Sequence, residues 1–234
     1  MTLKKHIPNI ITLLNLFCGC IAIVMTAELQ FEMAFYFVCL GIFFDFFDGF
    51  FARKFGVSGP LGVQLDSLAD MVTSGVAPGF VMFCMMSLND FSATNFFPYL
   101  GFIITLGACY RLANFNIDTR QSDSFIGLPT PANALLIMSL PVIIQYNSIN
   151  FIGDLLSNKW FLLVIIVFST FVMNAEIPLF SLKIKDFSFQ KYKVQIGFLL
   201  ISILLILTLQ FLAIPLIIIT YVLLSVMNSL LTKK

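Results

Sequence analysis

Four aspartates close together in a strongly apolar sequence constrain this chain more than any other feature. They are Asp45 and Asp48, in the segment DFFDGFFAR, and Asp66 and Asp70, in the segment GVQLDSLAD that follows shortly after. On insertion scales an acidic side chain at mid-membrane depth costs roughly 2.5 to 3.5 kcal/mol, so four unpaired carboxylates would oppose insertion by on the order of 10 kcal/mol. Something positive must therefore compensate this cluster.

The spacing of the aspartates predicts how they are presented. Asp45 and Asp48 are three residues apart and Asp66 and Asp70 are four apart, so on helices each pair lies on one face. Two such pairs facing each other form a cage of carboxylate oxygens, which suits Mg²⁺ or Mn²⁺ better than zinc, for which His or Cys would be expected. The sequence thus predicts a site that holds divalent metal and carries out chemistry.

The rest of the sequence is typical of a polytopic membrane protein. Of its 234 residues 59% are hydrophobic and 11% are charged, and the mean hydropathy is +1.00, which excludes an ordinary soluble fold. A tight turn near Gln210 is expected to divide the last apolar region into two helices. The apolar stretches predict an all-α membrane bundle of about eight transmembrane helices, near residues 10–27, 32–53, 66–88, 97–115, 131–147, 159–175, 194–210 and 212–230.

The distribution of Lys and Arg predicts the orientation of these helices. With a cytoplasmic N-terminus, every Lys and Arg except Lys159 falls on the cytoplasmic side, in line with the positive-inside rule. The same distribution favours an even number of spans and a cytoplasmic C-terminus. The aspartates then flank a short turn, Phe55 to Leu65, so their site opens to the cytoplasm. With no evident linker or repeat, we expect a single domain over residues 1–234.

The aspartate segment also resembles the signature of a known enzyme family, the CDP-alcohol phosphotransferases. Their pattern DxxDGxxARx8GxxxDxxxD is matched at every fixed position, here Asp45, Asp48, Gly49, Ala52, Arg53, Gly62, Asp66 and Asp70. The flanking segments are similar to the phosphatidylserine synthase branch: IPNIITLLNLFCG at 7–19, LDSLADMVTSGVAP at 65–78, RLANFN at 111–116 and SFIGLPTP at 124–131. The resemblance spans about residues 5–185, a six-helix core, and leaves two C-terminal helices at about 194–230.

The resemblance implies a reaction, a cofactor and a set of site residues. The phosphatidyl group of CDP-diacylglycerol would pass to the hydroxyl of L-serine, giving phosphatidylserine and CMP, in a homodimer of the bacterial-type cytoplasmic membrane with no nucleic-acid partner. Two divalent ions, Mg²⁺ or Mn²⁺, would be held by Asp45, Asp48, Asp66 and Asp70, with Asp70 also acting as the general base. The CDP-lipid site would include Asn9, Thr12, Gly49, Ala52, Arg53 and Gly62.

Some of these residues have a second interpretation. Arg53 either binds phosphate or neutralises the acidic cluster and fixes its geometry. Asn9 and Thr12 either face the nucleotide or cap the first helix, and the cap is the simpler interpretation. Gly62 is expected to let the third helix approach the second closely.

The acceptor pocket is predicted around the connection that follows the fourth helix. Serine carries a carboxylate, for which an arginine is a natural partner, so Arg111 is the first candidate. Asn114, Asn116, Arg120 and Ser124 lie in or beside the same long connection and are further candidates. The positive-inside bias explains Arg111 and Arg120 equally well.

Two alternatives to serine transfer stay open. The acceptor could be glycerol 3-phosphate or an inositol phosphate, although a phosphorylated acceptor asks for a denser basic pocket than Arg111 and Arg120 offer. From a different class, the chain could be a divalent-cation transporter that uses its intramembrane aspartates as the cation site. Uptake of Mg²⁺ or Mn²⁺ without lipid turnover would identify a transporter.

Overall fold

The computed structural model describes residues 3–88, 95–118, 125–147, 149–179 and 193–232, and this part of the chain is almost entirely α-helical. The predicted all-α class is confirmed. The described ranges contain one small β-sheet, formed by two antiparallel strands of two residues each, β1 (Phe125–Ile126) and β2 (Pro178–Leu179). The helices are α1 (Leu3–Ala27), α2 (Phe31–Phe55), α3 (Pro60–Asp70), α4 (Ala77–Ser87), α5 (Ile103–Ile117), α6 (Thr130–Tyr146), α7 (Asn150–Ser157), α8 (Lys159–Asn174), α9 (Lys193–Leu209) and α10 (Ala213–Thr232).

The turn between α2 and α3 is shorter than the sequence prediction. Gly56 ends α2 with a φ of 64°, and its N–H donates to carbonyl oxygens of the preceding turn, as is usual for a glycine at a helix C-terminus. Pro60 then begins α3, because the fixed φ and the missing N–H of proline suit the first turn of a helix. The predicted turn from Phe55 to Leu65 was therefore wrong in its second half.

A six-residue π-helix, Met71–Val76, joins α3 to α4 into one continuous helical segment from Pro60 to Ser87. A π-helical turn widens the backbone spiral and rotates the faces that follow it, and such turns are frequent at functional sites. This one begins directly after Asp70. Thr105 of α5 donates a hydrogen bond of 2.9 Å from Oγ1 to the carbonyl oxygen of Gly75, so α5 supports the irregular segment.

The core lies where α1, α2, α4, α6 and α8 meet. It contains fully buried side chains from each of these helices, many of them small or unbranched, including Ala22, Ala34, Met82, Ile137 and Ile166. Small residues let helix backbones approach closely, which is the usual basis of helix association in membranes, where lipid offers no hydrophobic driving force. This packing brings α1 between α2 and α3, the two helices that carry the aspartates.

Several helices in the described ranges are long and apolar enough to cross a membrane, which makes this a membrane protein. There are five by length and composition, or up to six if α7 and α8, which are bent by 73° at their junction, form one broken span. The helix α6 is also apolar but shorter. The predicted total of eight crossings and the cytoplasmic termini stay predictions, and α7 was not predicted. The five segments are His6–Ala27, Phe31–Phe55, Pro60–Ser87, Phe97–Ile117 and Gln195–Ser229.

The last of these segments is folded into a hairpin of α9 and α10. The ring centroids of Phe198 and Tyr221 are 5.5 Å apart, whereas a straight helix would separate these residues by roughly 34 Å. The chain reverses in a 3₁₀ turn, Gln210–Leu212, whose first residue has a φ of 49°. The predicted turn near Gln210 is therefore confirmed.

Candidate active site

A cavity of about 670 Å³ lies between α1, α2, α3, α5 and the start of α6. Its walls carry all four aspartates of the sequence motif. Because five separate helices contribute to these walls, the site depends on how the helices pack and not on one local segment. Seven other residues predicted for the site also line the cavity: Asn9, Thr12, Gly49, Ala52, Arg53, Gly62 and Arg111.

Three of the aspartates form a close acidic cluster on the cavity wall. One carboxylate oxygen from each of Asp45, Asp48 and Asp66 lies within 4.8 Å of the other two. The first two are one turn apart on α2, and Asp66 reaches them from α3. Asp48 is only 6% exposed, so water screens its charge poorly, and three like charges at this distance repel one another unless a cation or protons neutralise them.

The chemistry of this cluster fits a divalent cation. Its donors are hard carboxylate oxygens, the ligands that Mg²⁺ and Mn²⁺ prefer. Oxygens on opposite sides of a Mg²⁺ ion lie about 4 Å apart, close to the 4.8 Å within which these three fall. Asp70 lines the same cavity but lies outside the group of three. Three of the four carboxylates predicted to form a cage are thus close together, and the fourth lines the same cavity.

Thr12 of α1 contacts the acidic cluster directly. Its Oγ1 donates a hydrogen bond of 2.5 Å to Oδ2 of Asp48, and the threonine side chain is buried. Because α1 already begins at Leu3, both Asn9 and Thr12 lie in the helix interior, and their interpretation as caps was wrong. The helix extends well before the apolar stretch from which its start was predicted, and both residues line the cavity instead.

Asn15 is a site residue that the sequence prediction missed. Its Nδ2 donates a hydrogen bond of 3.0 Å to Oδ1 of Asp70, and the asparagine is fully buried. It lies three residues beyond Thr12, and hence on the same face of α1. An asparagine within an apolar helix was the available signal, because buried amides in membrane helices usually contact another polar group.

The two motif glycines have different neighbours. A Cβ at Gly49 would lie 3.3 Å from Nη1 of Arg53, so the arginine side chain lies against this part of α2. A Cβ at Gly62 would lie 3.7 Å from Oδ1 of Asn9, which belongs to α1. The prediction that Gly62 lets α3 approach α2 was therefore wrong, because α3 packs on α1.

Arg111 of α5 uses its guanidinium to hold the backbone that forms one cavity wall. Nη1 donates hydrogen bonds of 2.8 Å to the carbonyl oxygens of Ile126 and Met173, and Nη2 donates one of 3.2 Å to that of Gly127. Gly127 has a φ of 72°, and a Cβ there would lie 2.5 Å from the carbonyl oxygen of Met173. Arg111 thus connects the end of α8 to the backbone at β1, and the chain continues from β1 into α6.

The other predicted acceptor residues lie away from the cavity or outside the described ranges. Asn114 and Asn116 are exposed on α5 and are not part of the cavity wall, and Nδ2 of Asn116 donates to Oγ of Ser67 over 2.8 Å. Arg120 and Ser124 lie outside the described residues. The first turn of α6 contributes Thr130 and Pro131 to the wall, which the sequence prediction did not include.

Comparisons with known proteins identify the family of this chain. A family model described as CDP-alcohol phosphatidyltransferase matches residues 5–156. A CDP-diacylglycerol-serine O-phosphatidyltransferase of Bacillus subtilis is 35% identical over 140 residues, which cover 58% of this chain and 75% of that protein.

Two further relatives have similar names and are covered less fully. A protein of Helicobacter pylori with the same name is 38% identical over 133 residues, 56% of this chain and 55% of that protein. An archaetidylserine synthase of Methanothermobacter thermautotrophicus is 32% identical over 136 residues, 57% of this chain and 56% of that protein. The chain therefore spans three quarters of the first relative and little more than half of the other two.

Proposed function

Because this chain belongs to the CDP-alcohol phosphatidyltransferase family, we propose that it transfers the phosphatidyl group of CDP-diacylglycerol to the hydroxyl of L-serine. The products are phosphatidylserine and CMP, which places the protein in phospholipid biosynthesis. The observation that carries the proposal is the cluster of Asp45, Asp48 and Asp66 on the wall of a cavity of about 670 Å³, in a chain whose relatives are named serine phosphatidyltransferases.

The acidic cluster holds divalent metal, Mg²⁺ or Mn²⁺. Asp45, Asp48 and Asp66 are the proposed ligands, and Asp70 completes the set for two ions. When bound, such ions offset the negative charge that builds up on the attacking and leaving oxygens during phosphoryl transfer. Thr12 fixes the orientation of Asp48 through the hydrogen bond that it donates to Oδ2.

Asp70 is the proposed general base. Its carboxylate lines the cavity, and only Oδ1 accepts a hydrogen bond from the described part of the chain. Asp70 takes the proton of the serine hydroxyl while the serine oxygen attacks the phosphorus on the lipid side. The bond from that phosphorus to the bridging oxygen breaks, and CMP leaves with this oxygen. The reaction needs no covalent enzyme intermediate.

The CDP-lipid lies along α1, α2 and α3 in this proposal. Gly49, Ala52 and Gly62 have no side chain or a small one, so they leave space for the substrate beside the metal ligands. Asn9 contributes a side-chain amide from α1. Arg53 lies beside Gly49 and is placed to interact with phosphate oxygens. Phe46, which is 65% exposed and also lines the cavity, provides an apolar surface next to Asp45 for the lipid part of the substrate.

Serine binds at the side of the cavity formed by α5 and the start of α6. Among the predicted acceptor residues, Arg111 is the one on the cavity wall, and its contacts with three carbonyl oxygens support a role in shaping the pocket. Thr130, in the first turn of α6, adds a hydroxyl to this wall. Direct contacts of serine with Arg111, Asn114, Asn116, Arg120 and Ser124 stay predictions.

The proposed setting is the cytoplasmic membrane, with eight crossings, both termini in the cytoplasm and the cavity open to the cytoplasm. The positive-inside distribution of Lys and Arg supports this orientation. The chain is a single domain over residues 1–234, and it acts as a homodimer.

A release assay tests the proposed function. Purified protein in detergent is given CDP-diacylglycerol and Mn²⁺ or Mg²⁺, and CMP is measured with serine, with glycerol 3-phosphate and with no acceptor, beside an Asp70→Asn variant. We expect CMP release that needs serine, yields a serine phospholipid and is lost in the variant. Release only with glycerol 3-phosphate would contradict the serine assignment. No release with any acceptor, together with Mn²⁺ uptake by the same protein reconstituted in sealed liposomes, would identify a transporter.

A further inference from the structure

Asn15 of α1 contacts two successive turns of the helical segment that carries Asp70. Its side-chain Nδ2 donates to Oδ1 of Asp70 over 3.0 Å. Its main-chain carbonyl oxygen accepts a hydrogen bond of 3.0 Å from Oγ1 of Thr73. Asp70 is the last residue of α3 and Thr73 lies in the π-helix, so the two contacts lie on either side of the point where the helix changes its geometry.

Glycines on two helices fit closely around these contacts. A Cβ at Gly41 of α2 would lie 2.7 Å from Cγ2 of Thr73 and 2.9 Å from Oδ1 of Asn15, and a Cβ at Gly19 of α1 would collide with Thr73. Asn15 and Thr73 are both fully buried. Because both side chains are buried against neighbouring backbone, packing restricts the position of Asn15 relative to Asp70.

The orientation of the Asn15 amide follows from the charge of Asp70. Within the described part of the chain Oδ1 of Asn15 has no hydrogen-bond partner and lies against Gly41. The reversed amide would turn that oxygen toward the carboxylate of Asp70 and the two would repel. The amide therefore donates its N–H to Asp70, and its own oxygen has no hydrogen-bond donor within the described residues. A buried oxygen without a donor costs stability, so stability alone does not explain this asparagine.

We propose that Asn15 is a positioning residue for the general base. By holding Oδ1 of Asp70 it fixes the carboxylate rotamer and leaves Oδ2 to accept the proton of the acceptor hydroxyl. Thr73 maintains this arrangement, because the π-helix directs its hydroxyl to the carbonyl oxygen of Asn15. The inference rests on the proposed role of Asp70 as the base, and it is independent of which alcohol is the acceptor.

The test compares Asn15→Leu and Thr73→Val with a matched control, Thr26→Val. Thr26 is also buried on α1, but its hydroxyl donates within its own helix, to the carbonyl oxygen of Ala22. For each protein kcat and the KM for CDP-diacylglycerol and for the acceptor are measured, and Mn²⁺ binding is followed by electron paramagnetic resonance. We expect kcat to fall about 10- to 100-fold in Asn15→Leu, with both KM values within about threefold of wild type. Mn²⁺ should still bind through the close cluster of Asp45, Asp48 and Asp66, since the hydrogen bond from the Asn15 side chain goes to Asp70 and not to this cluster.

The outcomes separate this role from a general effect on folding. Wild-type kcat in Asn15→Leu would overturn the proposal, and so would a loss of Mn²⁺ binding that parallels the loss of kcat. If Asn15→Leu does not fold, Thr73→Val decides, with a selective fall in kcat supporting the proposal and an effect no larger than that of Thr26→Val overturning it. If the wild type uses glycerol 3-phosphate instead of serine, the serine assignment fails and the same comparison is made with that acceptor. If the wild type releases no CMP with any acceptor, both fail.

Discussion

Thr12 on α1 and Asp48 on α2 are joined by a hydrogen bond of 2.5 Å between Oγ1 and Oδ2. The bond is buried and involves a carboxylate, so it is of the stronger, charge-assisted kind. We expect Thr12→Val to weaken Mn²⁺ binding and lower CMP release about 10-fold, because Asp48 loses the contact that orients it. Thr12→Ser keeps the hydroxyl and should stay within about threefold of wild type. Equal activity in the two variants would contradict a role for this bond.

The acidic cluster predicts opposite effects of one substitution on stability and on activity. In metal-free protein Asp45, Asp48 and Asp66 repel one another, so Asp66→Asn should raise the thermal unfolding temperature without metal. The same variant should lose the stabilisation that Mn²⁺ gives the wild type, and with it CMP release. Chelation by EDTA should abolish release by the wild type, and added Mg²⁺ or Mn²⁺ should restore it. Asp154→Asn, at an exposed position of α7, is the control and should change neither property.

The aspartate pairs show how far the sequence alone predicts this site. Helical spacing correctly placed Asp45 with Asp48 on α2 and Asp66 with Asp70 on α3, because spacing within a helix is a local property. That Asp66 joins the α2 pair while Asp70 contacts Asn15 depends on how α1 packs between the two helices. Such tertiary packing is not encoded in the spacing of a single segment.

Local structure that depends on distant contacts was likewise missed. The π-helix after Asp70 follows a segment with ordinary helical residues, and residues of other helices, Asn15 and Thr105, make hydrogen bonds with it. In contrast, the start of α3 at Pro60 could have been predicted, since proline is favoured in the first turn of a helix. The start of α1 at Leu3 was missed because the apolar stretch begins later than the helix.

Gly41 should tolerate no side chain. A Cβ there would lie 2.7 Å from Thr73 and 2.9 Å from Asn15, both of which are fully buried and tightly packed. We expect Gly41→Ala to destabilise the protein by about 1 to 3 kcal/mol, the usual cost of overpacking. The matched control is Gly197→Ala on α9, where a Cβ meets no atom within 4 Å. This variant should be as stable as the wild type or slightly more stable, because alanine favours a helix more than glycine does. Thermal unfolding in detergent compares the two, and equal unfolding temperatures would contradict the close packing.

Arg111 offers a choice between a pocket-shaping role and direct binding of serine. Its guanidinium donates to the carbonyl oxygens of Ile126, Gly127 and Met173, a fork that lysine cannot reproduce. If its main role is to hold this backbone, Arg111→Lys should lower the unfolding temperature, and kcat should fall together with the affinity for both substrates, since the whole wall shifts. If Arg111 mainly binds the serine carboxylate, only the KM for serine should rise and the unfolding temperature should stay unchanged. We expect the first result, because three of its five N–H donors are already committed to the backbone. Measuring unfolding and both KM values on the same preparation decides between the two.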